Sequence, residues 1–97
     1  MTDLQPGTQI TVMIPEPLRR YAGGRAEVYL RPGTVAEILY QLVEQHHDIG
    51  SHLIDENGRL QHGVTIAVDG RDIRFASQLQ TPVPAGKSMQ IVVTLLV

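Results

Sequence analysis

Four histidines in this sequence are candidate ligands for a metal ion: His46, His47, His52 and His62. Two adjacent histidines on a helix point to different sides, and the other two lie in separate segments, so the spacing does not match a ligand set. The chain has no cysteine, and no carboxylate stands at ligand spacing. We therefore expect surface histidines, two of them near the negative C-terminal end of a helix, and no metal site.

Nucleophilic and nucleotide chemistry have equally little support. Ser51, Ser77 and Ser88 are not accompanied by a histidine and a carboxylate in a recognisable catalytic arrangement. Asp69-Gly70 indicates a tight turn, because a nucleotide site requires a glycine-rich loop that leads into a helix. We expect no catalytic residue, no cofactor and no independent enzymatic activity.

Arginine side chains are candidates for a surface that contacts a partner. Arg71 and Arg74 stand close together, just after the Asp69-Gly70 turn. The same residues could equally be solvated surface cations, and the sequence leaves both interpretations open.

Composition sets the broad class of the protein. The chain has 97 residues, 42% of them hydrophobic and 19% charged, with a net charge of -2. These values are typical of one soluble globular domain, and no basic run indicates a nucleic-acid partner. The N-terminus lacks the features of a signal peptide, and no stretch approaches the roughly 20 apolar residues of a membrane span. We expect a flexible leader over residues 1–7, one domain over residues 8–97, and a cytoplasmic location.

Alternating apolar residues predict the strands. Thr8–Ile14 places Ile10, Val12 and Ile14 on one face, and Arg25–Arg31 places Ala26, Val28 and Leu30 on one face. Pro15 and Pro17 end the first strand, and a turn over Arg19–Gly24 makes the two an antiparallel hairpin. Three later strands are predicted, joined by turns or loops. They are Gly63–Val68, Arg71–Phe75 and Ser88–Val97.

A helix is predicted over about residues 34–46. Thr34 and Glu37 form a Thr-x-x-Glu capping box at its start. Apolar residues then recur at the helical spacing of a single buried stripe. A short second helical turn over Asp48–Ile54 would bury Ile49 and Leu53. The order β-β-α-β-β-β predicts an α+β protein with a mixed sheet of about five strands and one main helix, which is the β-grasp or ubiquitin-like fold. The apolar last strand should lie inside the sheet.

Five segments in register resemble the MoaD/ThiS family of small ubiquitin-like sulfur carrier proteins, which includes the small subunit of molybdopterin synthase. The resemblance extends over roughly residues 8–93. The segments are Val12–Arg19 with Gly23-Gly24, Gly33–Leu39, Ile54–Leu60, Ile66–Arg74, and Leu79 with Thr81–Gly86.

The resemblance implies a carrier that acts with partner enzymes. An E1-like adenylyltransferase activates the terminal glycine carboxylate, a sulfur donor converts it to a thiocarboxylate, and a synthase large subunit takes the sulfur for molybdopterin, thiamine or a related product. Family members end in Gly-Gly, which fits a narrow channel because it has no side chains. This sequence ends in Thr94-Leu95-Leu96-Val97 instead. We expect the chain in this form to be a poor or inactive carrier; the absence of diglycine could be natural or a truncation.

An alternative reading is a non-conjugating ubiquitin-like module that binds a protein partner, or a second copy of itself, through its sheet face and its apolar C-terminal strand. Leu95, Leu96 and Val97 would then form an apolar contact surface, or would simply complete the last strand. No nucleic-acid or membrane partner is expected in either case.

Overall fold

A mixed five-stranded sheet forms the centre of the molecule. The computed structural model describes residues 8–94, so the predicted leader 1–7 and residues 95–97 lie outside the described residues. The strands are β1 (Ile10–Met13), β2 (Glu27–Leu30), β3 (Gly33–Thr34), β4 (Val64–Val68), β5 (Arg71–Asp72), β6 (Pro82–Val83) and β7 (Ser88–Val93). Five of them form a sheet in the order β2-β1-β7-β4-β5, while β3 and β6 form a separate pair. The predicted α+β class with a mixed sheet of five strands is confirmed.

The first hairpin forms as the alternation predicts. β1 and β2 pair antiparallel, with Val12 opposite Val28, and Ile10, Val12 and Ile14 are all buried. Ala26 is the exception: it is exposed, because β2 begins only at Glu27. The connection that we predicted as a turn contains a 3-10 helix over Glu16–Ala22, which buries Leu18 and Ala22.

The last strand, β7, lies in the middle of the sheet. It runs parallel to β1, with Val12 opposite Met89, and antiparallel to β4, with Ile66 opposite Ile91. Both edges of its backbone are therefore hydrogen-bonded, and Met89 and Ile91 are buried. The predicted central position is confirmed. The predicted extent is wrong at its end within the described residues, because β7 stops at Val93 and Thr94 is not in a strand.

The main helix, α1 (Val35–Gln45), covers one face of this sheet. The Thr34 side chain accepts a hydrogen bond from the Glu37 amide at 3.2 Å, and the Glu37 carboxylate accepts one from the Thr34 amide at 2.9 Å. This reciprocal pair is the predicted capping box. The buried stripe of the helix joins the inner face of the sheet in one core cluster. Its buried residues are Val35, Ile38, Leu39 and Leu42.

Short helical turns follow the main helix. A 3-10 turn over His47–Ile49 leads into α2 (Gly50–Leu53), and Ile49 and Leu53 are both completely buried. This agrees with the predicted helical turn. The chain then turns at Asp55, whose carboxylate accepts hydrogen bonds from the amides of Asn57 and Arg59.

The second hairpin is shorter than predicted. Asp69 and Gly70 have φ values of 50° and 83°, which suit a two-residue turn between antiparallel strands. β5 contains only two residues, and a 3-10 helix over Ile73–Phe75 replaces the rest of the predicted strand because Ile73 turns into the core. The predicted loop that follows contains β6, whose pairing with β3 the alternation did not indicate.

The capping box yields a stability prediction. Thr34→Ala should lower the free energy of unfolding by about 1 kcal/mol, because it leaves an amide of the first helical turn without its acceptor. Gln45→Ala, at an exposed position near the other end of the same helix, is the control and should change it by less than about 0.5 kcal/mol. Urea unfolding would measure both, and equal effects would contradict the assignment.

Candidate functional site

The face of the sheet that lies opposite the core exposes several apolar side chains. The strand alternation that buries Val12, Val28 and Ile91 directs their neighbours outward. Met13, Tyr29 and Val92 are 42%, 53% and 47% exposed. We call this surface, formed by the outward residues of β1, β2, β4 and β7, the open sheet face. Its apolar side chains were missed at the sequence level, although the opposite phase of the same alternation would have located them.

Polar side chains hold the centre of the open sheet face in place. The Gln90 amide nitrogen donates to the Ser88 hydroxyl at 2.8 Å, and the Gln90 amide oxygen accepts from the Gly70 amide at 3.2 Å. The same nitrogen lies 3.9 Å from the Met13 sulfur. Gln90 thus connects β1, β7 and the β4–β5 turn. These contacts hold in place the strands that carry the exposed apolar side chains.

The edge of this face carries a carboxylate in a hydrogen-bonded turn. The Asp69 carboxylate accepts from the Ser88 amide at 3.1 Å and lies 3.3 Å from the Lys87 ammonium group. The Ser88 amide is the main reason why the pKa of Asp69 lies below its ordinary value, and Lys87 lowers it further. Tyr29 shows the opposite direction, since its hydroxyl donates to Glu27 at 2.7 Å and this bond raises its pKa.

Arg71 is the first residue of β5 and Arg74 lies in the 3-10 helix that follows, and each side chain is hydrogen-bonded to a residue close to it in sequence. Arg71 donates to the backbone carbonyl of Phe75 at 2.7 Å, and Arg74 makes two bonds of 3.0 and 2.8 Å to one carboxylate oxygen of Asp72. The Arg74 guanidinium group lowers the pKa of Asp72, and Asp72 raises that of Arg74. Phe75, which we had not selected, is 72% exposed, with the Arg74 guanidinium carbon 5.9 Å from its ring centroid. A partner-binding role for Arg71 and Arg74 remains a prediction.

The histidines do not converge on a metal site within residues 8–94. In this range, no three histidine, aspartate or glutamate side chains are grouped closely enough to hold a metal ion. His52 instead stacks on Tyr21, with ring centroids 4.1 Å apart. Their cleft, of about 450 Å³, opens beside the end of β7 and is lined also by Pro17, Leu18, His62, Val64, Val93 and Thr94.

The backbone at the end of β7 approaches the start of β4 closely. The Thr94 amide donates to the Gly63 carbonyl at 2.7 Å, which adds one bond beyond the paired residues Val64 and Val93. Gly63 has a φ of +86°, and a Cβ atom there would lie 2.8 Å from the Thr94 carbonyl oxygen. The predicted contact residues Leu95, Leu96 and Val97 lie outside the described residues.

A second apolar groove lies on the helical side of the molecule. It has a volume of about 400 Å³ and includes Tyr40, which is 66% exposed. The helices in the described range 8–94 include none that is long and apolar enough to cross a membrane.

Comparison with known proteins decides the family. The sequence model of the ThiS family matches residues 3–94. The chain belongs to the ThiS family. The resemblance to ubiquitin-like sulfur carriers is therefore confirmed over most of the chain, and the matched region includes both β7 and the open sheet face.

Individual relatives agree with the family assignment. The chain is 32% identical over 84 residues to the sulfur carrier protein CysO of Mycobacterium tuberculosis, an alignment that covers 84% of this chain and 90% of that protein. The crystal structure of CysO from the same species has a TM-score of 0.81 at 31% identity, covering 89% of this chain and 99% of that one. A chain in the crystal structure of the BexX/CysO complex of Amycolatopsis orientalis gives 0.84 at 30% identity, with 91% and 98% covered. The β-grasp, ubiquitin-like fold is confirmed.

Two carboxylates of the β4–β5 hairpin, Asp69 in its turn and Asp72 in β5, yield a pH prediction. Asp69 and Asp72 have lowered pKa values in the folded protein, so their stabilisation is present above the ordinary value of about 3.9 and is lost as the pH falls through the lower folded-state values. Arg74→Met should raise the pKa of Asp72, measured by carboxyl NMR. Lys87→Met should leave the pKa of Asp69 below its ordinary value, because the Ser88 amide is retained. An Asp69 pKa at the ordinary value in Lys87→Met would contradict this account.

Proposed function

We propose that this protein is a sulfur carrier, with the chemistry carried out at its mature C-terminus by partner enzymes and not by its own side chains. The observation that carries the proposal is the family match over residues 3–94, together with relatives named as sulfur carrier proteins. The described residues 8–94 contain no cluster with metal-binding composition, and the sequence offers no nucleophile with a matching base. The proposed location is the cytoplasm.

The proposed reaction begins on the terminal carboxylate. A carboxylate oxygen attacks the α-phosphorus of ATP in an E1-like adenylyltransferase, forming an acyl-adenylate and releasing pyrophosphate. A sulfide-equivalent donor then attacks the acyl carbon and displaces AMP, which leaves a thiocarboxylate. A synthase large subunit finally receives the sulfur for molybdopterin, thiamine or a related product. The contribution of this chain is to present the terminus and to dock.

We place the docking contact on the open sheet face. Exposed apolar side chains there stand on a rigid sheet, which suits a partner because little conformational entropy is lost on binding. Met13 and Val92 supply its exposed aliphatic groups, and Tyr29 adds an aromatic group with a polar end. Arg71 and Arg74 lie at the edge of the same sheet, so we propose that they contribute the polar rim of the contact.

The 97-residue form should be a poor substrate for adenylation and sulfur transfer at its terminal carboxylate. Val97 is β-branched, and its two methyl groups crowd the carboxylate and stiffen the residue. Leu95 and Leu96 are also too bulky for a channel that is shaped for two glycines. The proposal therefore applies to the carboxylate of whichever residue is terminal in the mature protein.

The alternative function is a non-conjugating ubiquitin-like interaction module. The apolar exposure of Met13, Tyr29 and Val92 favours it, because such a surface binds a partner without any reaction at the terminus. In this case Leu95, Leu96 and Val97 extend the contact surface.

Intact mass spectrometry of the protein from its native cell separates the two functions. A carrier should show a fraction in which one oxygen is replaced by sulfur at the mature C-terminus, an increase of about 16 Da. The same measurement identifies the terminal residue. A uniform mass that ends at Val97 without sulfur would favour the interaction module.

Adenylation by the E1-like enzyme of the same organism tests the terminus directly. The 97-residue chain should support ATP–pyrophosphate exchange at least about 100-fold more slowly than the chain with Gly-Gly appended after Val97, a difference of about 3 kcal/mol in barrier. A chain with Ala-Ala appended controls for added length. Equal rates for the 97-residue and diglycine forms would refute the predicted inactivity.

The open sheet face can be tested by adding a charge. Val92→Asp should weaken binding to the adenylating enzyme at least about tenfold, because a carboxylate would be desolvated in the contact. Tyr40→Asp places the same charge on the exposed helical side and should leave the affinity unchanged. Calorimetry on the folded variants measures both, and an unchanged affinity for Val92→Asp would move the contact elsewhere.

A further inference from the structure

At Gly63, an L-amino acid would have a strained backbone conformation and would clash with the residue that follows β7. The φ of Gly63, +86°, lies in the left-handed region, which favours glycine. A Cβ atom on Gly63 would stand 2.8 Å from the Thr94 carbonyl oxygen, closer than carbon and oxygen atoms normally approach. The obstacle is backbone, so it cannot move aside as the end of a flexible side chain can.

Between Gly63 and Thr94, both within the described range 8–94, the backbone hydrogen bonding runs in one direction only. Gly63 and Thr94 stand opposite each other in the register that pairs Val64 with Val93. The Thr94 amide donates to the Gly63 carbonyl at 2.7 Å. The positive φ of Gly63 departs from strand conformation here: β4 begins one residue after Gly63, and β7 ends one residue before Thr94. Gly63 therefore fixes the last described residue of the chain by a single bond and a close approach.

We propose that Gly63 is a positioning residue that sets the position and direction of the backbone at Thr94, from which the C-terminal residues continue. The inference rests on the proposed function, since a carrier reacts at its C-terminus and an error at Thr94 is transmitted to every residue beyond it. Gly63 touches no reacting atom and acts through the Thr94 backbone.

Gly58 provides a matched control. It has a φ of +79°, close to that of Gly63, but a Cβ atom there would meet nothing within 4 Å. Gly58→Ala and Gly63→Ala therefore carry the same kind of backbone strain, and only Gly63→Ala displaces Thr94. Asparagine tolerates positive φ better than alanine, so the pair Gly58→Asn and Gly63→Asn repeats the comparison with less strain should Gly63→Ala not fold.

Hydrogen exchange of the Thr94 amide in the 97-residue chain is the first readout. Gly63→Ala should accelerate it at least about tenfold relative to the wild type, because the bond to the Gly63 carbonyl is weakened. Gly58→Ala should leave it unchanged, with amides in the middle of β7 as the internal reference. Equal Thr94 exchange in the two variants would overturn the proposal, and this readout does not depend on any carrier activity.

The second readout is adenylation of the diglycine-extended chain by the E1-like enzyme, measured as kcat and KM for that chain. Gly63→Ala should lower kcat about tenfold with KM unchanged, because the terminus is misdirected while the docking face is intact. Gly58→Ala should match the wild type in both constants. Normal kcat in Gly63→Ala would refute a positioning role, whereas absence of charging in all forms would refute the proposed function and leave the exchange result to decide the role of Gly63.

Discussion

The central position of β7 is the constraint on which the rest of the structure depends. This strand comes last in the described chain, yet it pairs with β1 on one side and β4 on the other. The two hairpins belong to one sheet only because β7 lies between them and pairs with a strand of each. Pairing Val12 with Met89 closes most of the chain into one loop, so the entropy of closure must be offset by contacts that form together. Met89 and Ile91 supply them because both are buried in the core.

The same strand has side chains on both the core and the open sheet face. Along β7 the side chains alternate, so Met89 and Ile91 enter the core while Ser88, Gln90 and Val92 face outward. Gln90 uses its outward position to connect three elements through its amide group. The outward residues of β7 on the open sheet face are therefore fixed by the strand that joins the two hairpins in one sheet. The docking contact that we propose on this face would therefore need little reorganisation when a partner binds.

Family membership and fold do not by themselves determine the reaction, because function belongs to a site and the scaffold supports many sites. Here the ThiS family match and the CysO relatives define the class of protein. The feature that distinguishes a charged carrier from a binding module is the chemistry of the mature terminus. The structure shows how Thr94, the last described residue, is held by its hydrogen bond to the Gly63 carbonyl.

Local patterns in the sequence predicted much of the fold correctly. Three features depend on residues close in sequence, so the sequence alone was enough to predict them. They are the capping box at Thr34 and Glu37, the buried stripe of α1 and the Asp69-Gly70 turn. The family resemblance likewise depended on short segments in order. The inner strand alternation also located the core face, although the apolar residues of the opposite phase, such as Val92, were not recognised as a surface.

Tertiary structure decided what depends on distant partners. β5 is shorter than predicted because Ile73 turns into the core. β6 forms because Val83 pairs with Gly33, which lies far from it in sequence. Arg71 and Arg74 were visible as cations, but only the fold gave them the Phe75 carbonyl and the Asp72 carboxylate as partners. The contact between Gly63 and Thr94 could not be predicted from the sequence for the same reason. A glycine is restricted there by Thr94, which lies 31 positions later and approaches it only once β7 has paired with β4.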